Sequence, residues 1–148
     1  ICTCICKKNV HLAANFHRDK PGFTAYLDGS FQDDGTIILP HVYSNIGSVY
    51  NPTTGIFTAD QSGEYAFYLG VECAGNGMKL IDLFKDGSMV AHTACLPKNA
   101  ATFYGSTFVV LHVEKGSKIW ITNSRHEHIG LTGKTTLSGF LLSNLRTR

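Results

Sequence analysis

Gly63-Glu64-Tyr65-Ala66-Phe67-Tyr68-Leu69 closes a stretch that begins at Leu39 and whose spacing decides the fold. Tyr65, Phe67 and Leu69 alternate with Glu64, Ala66 and Tyr68, so one bulky set shares a face of a strand. Upstream, Asn45 stands six residues after Leu39, Tyr50 five after that, Phe57 seven further on and Gly63 six beyond. Bulky residues at such distances, broken by Pro52, Gly55 and Gly63, describe short consecutive strands joined by turns. In an all-β domain the face carrying Tyr65 and Phe67 is the expected core.

The same reading extends in both directions. Phe23–Leu27 is the first predicted strand, followed by a polar loop, Asp28–Gly35. Thr36–Ser44, Ser48–Tyr50, Ile56–Ala59 and Glu64–Glu72 follow as extended pieces. Met78–Phe84 and Ser88–Ala94 flank Lys85-Asp86-Gly87, a hairpin signal. Thr102–Val113 carries Thr107, Val109, Leu111 and Val113 on one face, and Lys118–Thr122 holds Ile119, Trp120 and Ile121 together. Asn123–Lys134 is a polar loop, and Thr135–Ser143 is the last strand. Some ten short strands with turns every 8–12 residues predict a sandwich. Helical periodicity is confined to one predicted turn within Asn9–Lys20, ended by Pro21-Gly22. Trp120 and Phe140 join Tyr65 and Phe67 as expected core residues.

Three separated motifs carry a family resemblance. The Leu39–Leu69 spacing resembles the signature of the C1q globular-head family, with Leu39 and Leu69 where an aromatic is usual. Leu111-His112-Val113-Glu114-Lys115-Gly116-Ser117-Lys118-Ile119-Trp120-Ile121 is similar to that family's Leu-x-Leu-x-x-Gly-Asp-x-Val-Trp-Val segment, with Ser117 for the Asp. Leu137-Ser138-Gly139-Phe140-Leu141-Leu142 resembles its closing Phe-Ser-Gly-Phe-Leu strand. The resemblance implies a ten-stranded antiparallel jelly roll of the C1q/TNF-like kind, assembled as a homotrimer. It divides the chain into a Cys-containing N-terminal extension, residues 1–21, and a C1q-like globular domain, residues 22–148. The sequence holds no Gly-X-Y run, so the resemblance is to stand-alone members of the invertebrate, bivalve type.

Size and charge agree with one extracellular domain. A chain of 148 residues buries roughly 70% of its unfolded surface and folds without a structural metal. Hydrophobic residues make up 43%, too many for a disordered chain, and no apolar run suits a membrane helix. Position 1 is Ile rather than Met, which suggests a processed chain. The net charge of +2 gives no nucleic-acid surface. The termini are nevertheless basic and the centre acidic: +3 over residues 1–20, −6 over 21–114 and +5 over 115–148. A basic end of this kind attracts anionic ligands, less so at high salt.

The cysteines divide into two sets. Cys73 and Cys95 each follow a strand-like run and are either bridged or buried as thiols. Cys2, Cys4 and Cys6, spaced by two, point one way in an extended segment. They are candidates for interchain disulfides, for a metal-thiolate cluster, or for an inert terminus.

Candidate binding residues sit in two loops. Asp33 and Asp34 pair carboxylates before Gly35, a start towards the six to eight oxygens that calcium takes. Arg125, His126, Glu127 and His128 occupy the loop before the last strand. Arg125 can fork onto a carboxylate or sulfate, and His126 with His128 can ligate a metal. In a jelly roll the first and last strands are antiparallel neighbours, so the two loops meet at one pole as an apex. Catalytic motifs are missing: there is neither a Gly-x-Ser-x-Gly elbow nor a His-Glu-x-x-His. Gly133-Lys134-Thr135 lacks the first glycine of a phosphate loop and precedes a strand rather than a helix. The expected protein is a secreted, lectin-like recognition module for glycans or microbial surfaces. The alternatives are a trimeric signalling ligand and a metal- or mineral-associated protein of extracellular fluid. An enzyme is not expected.

Overall fold

Alternating large apolar and polar side chains, punctuated by glycine and proline, leave this chain one economical way to bury its aromatics: between two sheets. A computed structural model describes residues 19–28, 35–74, 78–96, 99, 101–123, 130–131 and 134–144. Among them are twelve strands: β1 Gly22–Tyr26, β2 Gly35–Thr36, β3 His41–Ile46, β4 Tyr50–Asn51, β5 Ile56–Thr58, β6 Gly63–Ala74, β7 Lys79–Lys85, β8 Ser88–Cys95, β9 Phe103–Val113, β10 Lys118–Asn123, β11 Gly130–Leu131 and β12 Thr136–Ser143. β2, β4 and β11 are only two residues long. The first sheet runs β11-β6-β12-β1-β3, with β9 also on β6; the second runs β4-β5-β10-β7-β8, with β2 on β10. Every pairing is antiparallel. The architecture is the predicted all-β jelly-roll sandwich.

The core lies between the sheets. Phe23 stacks on Tyr50 with ring centroids 4.7 Å apart, and Phe57 meets Tyr65 and Phe67 edge-on at 5.6 and 5.4 Å. Tyr65, Phe67 and Leu69 are all buried, as their alternation predicts. The Leu39-to-Tyr50 spacing now has a physical reason. The Asn45 side-chain amide donates to the Tyr50 carbonyl at 2.8 Å, and its oxygen accepts the Tyr50 N–H at 3.0 Å. The Tyr50 hydroxyl in turn donates to the Leu39 carbonyl at 3.0 Å and accepts from its N–H. Burial pushes the Tyr50 phenol up to about 12, against the opposing pull of that backbone bond, so the hydroxyl stays a neutral donor. One short clip thus satisfies buried backbone groups of a segment that has left the sheet.

Three expectations are corrected. Phe140 is not core: it is 46% exposed on the outer face of the first sheet. Alternation along β12 sends Leu137, Gly139 and Leu141 inward instead. Gly139 is the residue beneath the rings, since a Cβ there would stand 2.5 Å from Phe67 and 2.8 Å from Phe23. Trp120 is half-buried on the outer face of the second sheet, out of phase with the buried Ile119 and Ile121. The predicted run Thr36–Ser44 is also broken, because residues 37–40 are not strand. Ile37 and Leu39 are fully buried there all the same. The Lys85-Asp86-Gly87 hairpin forms as expected, with positive φ at Asp86 (49°) and Gly87 (89°).

Cys73 on β6 and Cys95 on β8 form a disulfide between the two sheets, closing a sequence separation of 22 residues. The chain-entropy model assigns about 3 kcal/mol to a loop of that length. The Cys73→Ser/Cys95→Ser variant is therefore expected to lose about that much unfolding free energy, read as a lower urea midpoint. Equal midpoints for variant and native chain in urea titrations would show that the bridge does not stabilise the sandwich.

Candidate functional site

Asp33, Asp34, Arg125, His126, Glu127 and His128 lie outside the described residues, as do Cys2, Cys4 and Cys6 and the turn within Asn9–Lys20. The described backbone on either side of these segments is placed as follows. Tyr26 on β1 pairs with Thr136 on β12, and the Leu27 N–H donates to the Thr135 carbonyl at 3.0 Å. Asn123, the last residue of β10, pairs with Gly35, the first of β2. Residues flanking segment 29–34 therefore adjoin residues flanking segment 124–134.

The outer face of the first sheet is the second feature, and sequence reasoning missed it. Register lines up Phe108, Tyr68, Ser138, Thr24 and Ser44 across β9, β6, β12, β1 and β3. The adjacent row is Val110, Ala66, Phe140, Gly22 and Ile46. Tyr68, Phe108, Val110, Phe140, Ile46 and Leu142 are all exposed. Contiguous apolar surface of this kind marks an association site. Its sequence signal was β9 itself: Phe108 and Val110 are apolar in the phase opposite to Val109 and Leu111, so both faces of that strand seek cover. Next to these rows, Tyr68, Gly70, Tyr104, Ser106, Lys134 and Thr136 line a cavity of about 170 Å³. Gly70 supplies its floor, since a Cβ there would stand 2.9 Å from the Tyr68 hydroxyl.

An ionic cluster fringes the same face. The Nδ1 of His112 lies 2.9 Å from Glu64 Oε1, and its Nε2 lies 3.0 Å from Glu114 Oε1. The Ser62 hydroxyl donates to Glu114 Oε2 at 2.7 Å. Carboxylates only accept, so both contacts are hydrogen bonds when the imidazole is doubly protonated. The hydrogen bonds to Glu64 and then Glu114 hold the His112 pKa above its ordinary 6.5. The protonated ring's contribution to stability is accordingly full below that ordinary value and lost as pH rises through the raised one. A carbon-bound ring-proton NMR titration is expected to place the His112 midpoint above free histidine, and His112→Gln is expected to narrow the stability gap between pH 6 and pH 9. An unshifted midpoint would refute the bridge. Among the described residues, no group of three His, Cys, Asp or Glu side chains is placed to hold a metal, and no helix is long and apolar enough to cross a membrane.

Two antiparallel sheets with this order, one of them carrying exposed apolar residues on its outer face, make a jelly-roll module of the C1q/TNF-like class. The chain belongs to the C1q domain family, whose model matches residues 22–142. Solved structures agree on the fold. The globular domain of the zebrafish complement 1qA protein is 20% identical, covers 84% of this chain and 98% of its own, and superposes with a TM-score of 0.73. Eiger TNF from S. frugiperda is 12% identical over 86% of this chain and 96% of its own, with a TM-score of 0.69. Murine APRIL is 14% identical over 83% and 99%, also at 0.69.

Proposed function

We propose that this protein is a secreted, non-enzymatic recognition module that self-associates as a homotrimer and binds carbohydrate or other microbial surface patterns at its apex. The observation that carries the reading is the apolar outer face of the first sheet, which needs a partner and in a C1q domain finds one in further copies of itself. Residues 22–148 act as the globular domain, and residues 1–21 as an extension whose Cys2, Cys4 and Cys6 link trimers into larger assemblies. Asp33 and Asp34, alone or around calcium, and Arg125 to His128 supply the ligand contacts. Each apex is a weak site, and three on one body gain avidity.

A glycan array is the test. Binding that dims when Asp33 and Arg125 are changed to Ala supports the reading; a silent array rejects it. The structural likeness to Eiger TNF favours a second reading, a trimeric extracellular signalling ligand. Silence on the array together with saturable binding to cells would select that reading. Calcium or zinc binding by calorimetry, with neither glycan nor cell binding, would select a metal- or mineral-associated role.

A further inference from the structure

Toward the end of the first sheet nearer segments 29–34 and 124–134, the outward rows turn polar. The row beyond Phe108 and Tyr68 is Ser106, Gly70, Thr136, Tyr26 and His41, read across β9, β6, β12, β1 and β3. Gly70 has no side chain and stands between Ser106 and Thr136, so the outward layer has a gap there. That gap is the cavity of about 170 Å³, whose side-chain wall is Tyr68, Tyr104, Ser106, Lys134 and Thr136. Val71 also borders it, but its side chain belongs to the core, so it offers backbone alone. Tyr68 is shared with the apolar rows; the rest of the wall lies on the far side of it from Val110 and Phe140. Among the described residues, the hydroxyls of Tyr68, Ser106 and Thr136 and the ammonium of Lys134 have neither a hydrogen bond nor an ion pair, and all four converge on this one space. Tyr104 differs, because its hydroxyl bonds the carboxylate of Glu72, its cross-strand partner on β6. A carboxylate accepts, so Tyr104 is the donor there and keeps its own lone pairs for something in the cavity.

We propose that this cavity is a second ligand site that takes one hexuronic acid ring, its carboxylate against Lys134 and its hydroxyls among Ser106, Thr136 and Tyr104. Three arguments select this class. The first is charge. Lys134 is the one charged side chain in the wall among the described residues, and an ammonium ringed by hydroxyl donors suits a carboxylate through charge-assisted hydrogen bonds. The second is the mixture of polar groups. Sugar hydroxyls both give and take, so they can accept from Ser106 and Thr136 while donating to Tyr104. An acid without hydroxyls would displace water from those groups and leave them unpaired, which costs free energy. The third is size. A cavity of about 150 Å³ holds a benzene ring, so this one admits a single six-membered ring and leaves any continuing saccharide chain outside. The site requires neither the apex residues nor self-association.

The test is an amide NMR titration of the full chain with glucuronate, with glucose, which lacks the charge, and with propionate, which lacks the hydroxyls. Saturable shifts at residues 68–71, 104–106 and 134–136 are expected with glucuronate. Glucose and propionate are each expected to bind about tenfold more weakly or worse, since each forfeits the equivalent of at least one hydrogen bond to a charged group. Lys134→Gln is expected to raise the glucuronate Kd by about tenfold, and Lys134→Arg, which keeps the charge, to retain most of the binding. Lys134 is exposed, so neither change disturbs the packing, and the titration of the native protein stands without them. The double variant Asp33→Ala/Arg125→Ala is expected to bind glucuronate as the native chain does, which separates this site from the apex. Absence of saturable shifts at these residues, equal binding of glucose, equal binding of propionate (an adventitious anion only), a native Kd in Lys134→Gln, or loss of binding in the double variant would each overturn the proposal.

Discussion

Phe67→Ala lowers stability by about 3–5 kcal/mol, the cost of emptying a fully packed aromatic site, and lowers the melting temperature by about 6–20 °C in a chain of this size. The expectation rests on where the ring sits. Phe67 is 1% exposed, meets the Phe57 ring edge-on at 5.4 Å and lies 6.1 Å from Tyr65 in near-parallel stacking. It also overhangs Gly139, the opposite residue on β12. That last contact makes the prediction sharper than a cavity argument. In the native protein Gly139→Ala forces a methyl against the Phe67 ring, and the change destabilises. In the Phe67→Ala background the same methyl enters vacated space, so much of its cost disappears. Residues in contact show such coupling, of about 0.5–3 kcal/mol. Urea unfolding of the four proteins in this cycle measures it. Strict additivity would mean that Gly139 is not glycine on account of Phe67, and that the inward phase assigned to β12 is wrong.

The same pair shows what the sequence made legible and what it did not. Period-two alternation is local, so Tyr65, Phe67 and Leu69 declare their face within seven residues of chain. Which phase of β12 points inward is decided by a residue across the sheet. Glycine carries no apolar signal, so the hydrophobic pattern there promoted Phe140 and passed over Gly139. Trp120 was misplaced in the same way, because Ile119, Trp120 and Ile121 are all apolar and their order alone does not say which is turned out. The Asn45 clip was visible as a spacing, but its chemistry needed the Tyr50 and Leu39 backbones to be brought together.

Contacts between distant strands left still less trace. His112 and Glu64 are 48 residues apart in sequence and meet only because β6 and β9 are in register. Asp82 and His92 likewise stand opposite one another only because β7 and β8 are in register. The apex residues were chosen for their chemistry and lie outside the described residues. Their flanking backbone carries the Leu27 to Thr135 bond, which continues the β1–β12 pairing, and the Asn123 to Gly35 pairing of β10 with β2.

Phe108→Glu is expected to abolish self-association while leaving the protomer folded. Phe108 is 61% exposed on β9 and lies opposite Tyr68, beside Val110 and within reach of the Phe140 row, so it stands among the outward apolar residues of the first sheet. An aromatic buried in such an interface contributes about 2–4 kcal/mol to association. A carboxylate in its place adds the cost of desolvating a charge with no partner. The two effects act in the same direction, and each protomer of the proposed trimer carries the change. Dissociation at micromolar concentration is therefore expected, read by sedimentation over a concentration series as a fall to the protomer mass. The protomer loses nothing comparable, because the replaced ring is already in water. Met89→Glu is the control: Met89 is 55% exposed on the outer face of the other sheet, and its change is expected to leave the assembled mass alone. If Phe108→Glu sediments as the native protein does, the association face lies elsewhere. If Met89→Glu dissociates the assembly instead, the second sheet is the interface.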